Sequence, residues 1–147
     1  MAPTQTRKAV VAEHSLKSQK RVLEVEDDPD IRKMVSELLL SEGYKVVSAE
    51  HGQDALEKME GGFRPDVILL DLMMPVLNGF DVLRAMHRTP RWSSIPVVIV
   101  SANQGHDLVE LGAAAIIRKP FDPNVLLKTL RRLLNRAAAR IPSAAAR

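Results

Sequence analysis

Six side chains of this 147-residue chain could do chemistry together: Glu26, Asp27, Asp28, Asp71, Ser101 and Lys119. Each follows a short strand-like run: Val22–Val25 before the acidic triplet, Val67–Leu70 before Asp71, Val97–Val100 before Ser101 and Ala114–Arg118 before Lys119. Strand ends in a parallel sheet share one edge, so the six converge there. Two carboxylates ~4 Å apart repel by roughly 4 kcal/mol at an effective dielectric near 20, which makes the cluster costly unless a cation sits in it. Ligands that are all oxygen, with no His or Cys among them, favour a hard ion such as Mg²⁺. A carboxylate beside such an ion and a lysine can act as a nucleophile toward phosphorus. Phosphoryl transfer asks mainly for in-line positioning and charge neutralisation.

The positioning elements follow from periodicity. Ile31, Met34, Val35, Leu38 and Leu39 recur at helical spacing until Gly43 stops the helix. Lys45–Ser48 reads as a strand, and Gln53–Glu60 as a short helix ended by Gly61-Gly62. Asp66–Asp71 is a nearly all-apolar strand. Asn78-Gly79 marks a turn before a helix over Phe80–His87. Ile95–Ser101 is a second apolar strand, Asp107–Leu111 a short helix, and Ala114–Arg118 the last strand. A final helix carries Leu126, Leu130, Leu133 and Leu134 on one face, and Ala-rich residues trail off after it. Strands alternate with helices, and the third and fourth strands are apolar on both faces. Both features predict a doubly wound parallel α/β sheet in a three-layer sandwich. Asp28-Pro29 and Asp122-Pro123 read as N-caps with Pro at the first helical position, so capping is preferred to metal ligation for Asp28.

Composition narrows the function. The absence of cysteine excludes disulfide frameworks, Cys-based zinc sites and thiol nucleophiles. Apolar runs such as Val67–Leu70 fall far short of the ~20 residues a spanning helix needs, and no signal peptide is visible. The net charge is +3, yet residues 22–134 hold 13 basic and 17 acidic side chains. A mildly acidic domain (20–134) therefore lies between a flexible basic extension (1–19) and an Ala/Arg-rich tail (135–147). The tails read as solvated ends, and beyond that as an electrostatic contact with an acidic partner or nucleic acid, though neither is long enough to be a DNA-binding domain. Five aromatic residues in all make stacking on nucleic acid a poor reading. The scattered histidines (His14, His51, His87, His106) define no metal or relay site.

The acidic pair, Asp71-Leu72-Met73-Met74-Pro75, Asn78-Gly79, Ser101-Ala102, Gly112-Ala113 and Lys119-Pro120-Phe121 together resemble the CheY-like receiver domain of two-component response regulators, over about residues 20–134. That resemblance implies the strand order 2-1-3-4-5. It implies Asp71 as phosphoacceptor from a sensor histidine kinase or phosphotransfer protein. It implies Mg²⁺ held by Asp27 directly, Glu26 mainly through water, Asp71, and the Met73 carbonyl. Ser101 would bond the phosphoryl oxygen. Lys119, expected before a cis Pro, would pair with Asp71. The implied activity is Mg²⁺-dependent self-phosphorylation and autodephosphorylation only, in a cytoplasmic bacterial protein that signals to a downstream protein partner as a single domain. Two departures stand out. Ile116 occupies the switch position, where an aromatic residue normally responds to the Ser101 hydroxyl. Only ten residues separate Ser101 from Gly112, which shortens the intervening helix. They favour an alternative, a pseudo-receiver read without phosphorylation. Enzyme readings are weaker. A haloacid-dehalogenase-type phosphatase needs a second Asp where Met73 stands. A flavodoxin-type nucleotide site needs a Gly/Ser/Thr-rich loop where Glu26-Asp27-Asp28-Pro29 stands.

Overall fold

The computed structural model describes residues 19–74, 77–102 and 112–145, with side chains described as far as 136. Five strands form one sheet: β1 (Arg21–Val25), β2 (Lys45–Ala49), β3 (Val67–Asp71), β4 (Val97–Ser101) and β5 (Ala115–Arg118). Their order is β2-β1-β3-β4-β5, and every neighbouring pair is parallel. Among the described residues the helices are α1 (Pro29–Ser41), α2 (Gly52–Glu60), α3 (Gly79–Arg88) and α4 (Pro123–Ala145). The short helix expected over Asp107–Leu111, and Gly105 near its start, lie outside the described residues.

Strand alternation divides the core into two layers. Leu23, Val25, Ile68, Leu70 and Ile99 point to one face and pack on Ala55 and Met59 of α2, on Val82, Leu83 and Met86 of α3, and on Trp92. Val22, Val67, Leu69, Val98, Val100 and Ile117 point to the other face. They meet Val35 and Leu39 of α1 and Leu126, Leu130, Leu133 and Leu134 of α4. β3 and β4 are buried along their whole length because helices cover both faces. The sheet order reverses beside β1, so the carboxyl ends of β1 and β3 flank the crevice in which such folds bind ligands.

Capping residues set the helix starts. Asp28 is the N-cap of α1: its Oδ1 accepts from the Asp30 and Ile31 amides at 2.9 and 3.2 Å, and Pro29 takes the first turn. Asn78 and Asp81 form a reciprocal capping box on α3. Asp122 accepts from the Asn124 amide at 2.8 Å ahead of α4. The expected strand over Ile95–Ser101 begins only at Val97, since Pro96 has no N–H to give the ladder. The last helix was expected to end near 134 and instead runs to Ala145. The Ala137–Ala139 run has the highest helix propensity available and carries the backbone onward.

Candidate functional site

The site is assembled by backbone before any side chain takes part. The Glu26 amide bonds the Ala49 carbonyl at 3.1 Å, extending the β1–β2 ladder to the acidic turn. Arg32, one turn into α1, reaches back to donate to the Glu26 and Asp27 carbonyls at 2.8 and 3.3 Å. The Asp28 amide donates to Glu26 Oε2 at 3.2 Å. On β3, Asp71 Oδ1 accepts from the Met73 amide at 3.2 Å. Gly79 lets α3 start against this strand: a Cβ there would come within 2.6 Å of the Asp71 carbonyl and 2.8 Å of Leu72 Cα. The Lys119 amide bonds the Ser101 carbonyl at 3.1 Å, joining the ends of β4 and β5. The Lys119–Pro120 peptide is cis, as expected.

Side chains then converge. One ligand oxygen from each of Glu26, Asp27 and Asp71 lies within 4.8 Å of the others. Glu26 and Asp71 are 5% and 6% exposed, while Asp27 is open to solvent. Lys119 Nζ sits 2.7 Å from Glu26 Oε1 and 3.4 Å from Asp71 Oδ2. These residues line an open groove of about 250 Å³ with Asp28, Ile31, Met73 and Ala102. Met73 is exposed at its mouth, and Ser101 is buried at the end of β4, whose Val100 is in register with Asp71. Ile116, at the expected switch position, stands 40% exposed on β5.

Lys119 meets Asp71, the partner that the resemblance implies, and makes a second, shorter contact to Glu26. Burial pushes the Glu26 carboxyl up to about 7. The Lys119 hydrogen bond opposes that rise, and the negative charge of Asp71 adds to it. Burial pulls the Lys119 ammonium down, but the Glu26 hydrogen bond and the Asp71 charge outweigh it and hold the ammonium above its usual range. The ammonium thus lies between two buried carboxylates and neutralises part of the repulsion that the sequence foretold.

Sequence reasoning missed Glu24. It sits mid-strand in β1, 2% exposed, on the same face as Glu26. Its Oε1 accepts from Ser36 Oγ of α1 at 2.6 Å and from Ser48 Oγ of β2 at 3.2 Å, and the two hydroxyls are 2.9 Å apart. Burial pushes its carboxyl up to about 7. The signal was present: an acidic residue at an inward position, two before Glu26, that needs partners wherever it is buried.

The family model for the response regulator receiver domain matches residues 22–131. The chain belongs to that family. This receiver is 38% identical over 120 residues to the protein PilH of Pseudomonas aeruginosa, a match covering 78% of this chain and 97% of PilH. It is 35% identical over 122 residues to the transcriptional regulatory protein CpxR of Escherichia coli, covering 80% of this chain and 50% of CpxR. The receiver thus spans about half the length of the CpxR relatives it matches. The solved chemotaxis regulator CheY4 of Vibrio cholerae aligns with a TM-score of 0.73 at 35% identity, over 79% of this chain and 99% of CheY4. The receiver domain of the sensor histidine kinase PA1611 of Pseudomonas aeruginosa, solved with a magnesium ion coordinated in its active-site cleft, aligns with a TM-score of 0.74 at 29% identity, over 80% of this chain and 99% of that one. The receiver is a two-component signalling module of the CheY-like fold. No helix among the described residues is long and apolar enough to cross a membrane.

Proposed function

We propose that Asp71 accepts a phosphoryl group from the phosphohistidine of a sensor histidine kinase or phosphotransfer protein. The observation that carries this reading is the placement of Asp71 at the sheet crevice, buried, within 3.4 Å of the Lys119 ammonium and clustered with Glu26 and Asp27. The donor set is all oxygen and fits Mg²⁺, which Asp27, Asp71 and the Met73 carbonyl would hold, with Glu26 acting mainly through water. The metal would neutralise charge on the transferring group. A carboxylate oxygen of Asp71 forms the new P–O bond as the P–N bond to the donor imidazole breaks. Lys119 moves its charge to the phosphoryl oxygens, and Ser101 donates its hydroxyl to one of them. The added charge then biases the surrounding loops between two arrangements.

An apolar groove beside Lys119, lined by Ile31, Met34, Ala102, Pro120 and Phe121, offers the phosphodonor a docking surface. The match spans 97% of PilH and 99% of the solved CheY4 chain, which supports a stand-alone role; a protein target and a cytoplasmic setting complete this reading. The basic ends play no part in this reading, and DNA contact through them is disfavoured. Residues 20–134 are taken as the receiver unit.

Mass spectrometry after incubation with acetyl phosphate and Mg²⁺ tests the chemistry. A labile adduct of about 80 Da is expected on the parent, lost with chelator and absent from Asp71→Asn. Ile116, at the position where an aromatic switch belongs, favours a second reading, a phosphorylation-independent interaction module. No adduct under conditions that label another receiver would favour that second reading instead.

A further inference from the structure

A cavity of about 20 Å³ lies beneath the phosphorylation site, lined by Glu24, Glu26 and Asp71 together with apolar groups that include Ile31, Val35 and Leu69. Glu24 reaches it with half of its hydrogen-bonding capacity unused. The two serine hydroxyls hold Oε1, whereas Oε2 is sealed from solvent and has no hydrogen-bond partner. A buried oxygen left unpaired forfeits its hydration without a replacement partner. Burying a polar atom that way is uncommon, and ordered water is the usual remedy.

We propose that this cavity is a built hydration site that binds one water molecule between Glu24 Oε2 and the carboxylates of the phosphorylation site. Size supports the assignment: a water needs roughly 10–15 Å³ of such volume, so this cavity takes one and not two. Chemistry supports it as well. A carboxylate oxygen accepts a hydrogen bond and a protonated carboxyl also donates one, whereas a water does either, so one water bridges Glu24 to Glu26 or Asp71 in either protonation state. Apolar cavities of greater size stay dry, but three carboxyls line this one. Ser36 on α1 and Ser48 on β2 fix the Glu24 rotamer from two elements, leaving Oε2 for the water. The inference rests on the cavity and the unpaired oxygen, and it holds whether or not Asp71 is phosphorylated.

Magnetic relaxation dispersion of water ¹⁷O in the full chain counts long-lived internal waters. The parent and Glu24→Gln are expected to share the same count, and Glu24→Leu, which removes the polar floor, to lose one. An unchanged count in a folded Glu24→Leu would overturn the site. A high-resolution crystal structure of the parent keeps the test decisive if that variant fails to fold. The expected result is a single peak at hydrogen-bond distance from Glu24 Oε2. An empty cavity, or a peak with five or six short oxygen contacts that marks a cation, would refute the water.

Discussion

Glu24 and Glu26 lie two residues apart on one face of one strand, yet the tip of β1 and its interior treat a carboxyl differently. At the tip, Glu26 has an ammonium at 2.7 Å and opens onto a groove where a metal can enter. In the interior, Glu24 has two neutral hydroxyls for partners and its Oε2 is closed off from solvent, with the Arg32 charge acting on it without a direct contact. Burial pushes both carboxyls up to about 7. What differs is what can compensate the charge: a cation at the tip, a proton in the interior. The comparison teaches that equal burial need not mean equal function. Access to a counter-charge separates a site residue from a structural one.

The largest expected effect is on metal-free stability against pH. Both carboxyls ordinarily titrate near 4.5 and are raised to about 7 in the folded chain. Between those values the folded state holds protons that the unfolded state has released. Stability is therefore expected to fall as pH rises from about 4.5 to 7, by up to about 1.4 kcal/mol per pH unit for each carboxyl, and to level off above. Urea unfolding in chelator at pH 5, 6, 7 and 8 reads this directly. A flat profile would break the claim that either carboxyl is buried without full compensation.

Lys119→Met removes the counter-charge from the tip alone. At pH 8 without metal it is expected to destabilise by about 2–3 kcal/mol, since two buried carboxylates lose their partner, with protonation of Glu26 limiting the cost. Saturating Mg²⁺ should recover part of the loss in the same unfolding experiment. No recovery would mean that the metal does not share the lysine's position.

Metal affinity sharpens the contrast. Glu26→Gln is expected to weaken Mg²⁺ about tenfold, near 1.4 kcal/mol, whereas Glu24→Gln should change it by less than about threefold. Isothermal titration separates them, and equal losses would erase the distinction between tip and interior. The smallest effect concerns Glu24→Leu. At pH 8 it should be neutral to about 1 kcal/mol stabilising, because an apolar side chain often replaces a buried charge without loss. Its pH profile should keep only the Glu26 portion of the slope.

Much of this was legible in the chain. The alternation of apolar strands with helical repeats identified the doubly wound sheet, because burial on both faces leaves β3 and β4 apolar up to their last residues, Asp71 and Ser101. Asp28 was read as a cap, and it is one, since Asp before Pro suits a helix start in any context. The run-on of α4 to Ala145 was not read, because the leucine stripe stops at 134 while helix propensity continues through alanine. Glu24 was passed over because a single acid within a short strand does not disturb its pattern.

The sequence by itself determined the inventory: which acids, hydroxyl and lysine end the strands, and hence that they share one edge of a parallel sheet. That follows from local periodicity and from parallel strands all ending on the same side. Only the tertiary structure decided partnership. The choice of Glu26 over Asp71 as the nearer partner of Lys119 spans 93 residues of chain. The meeting of Ser36, Ser48 and Glu24 joins a helix and two strands, and the cavity below Asp71 exists only once α1 and α4 close on the sheet. Such contacts depend on ångström-scale distances between elements, which packing sets and residue spacing does not encode.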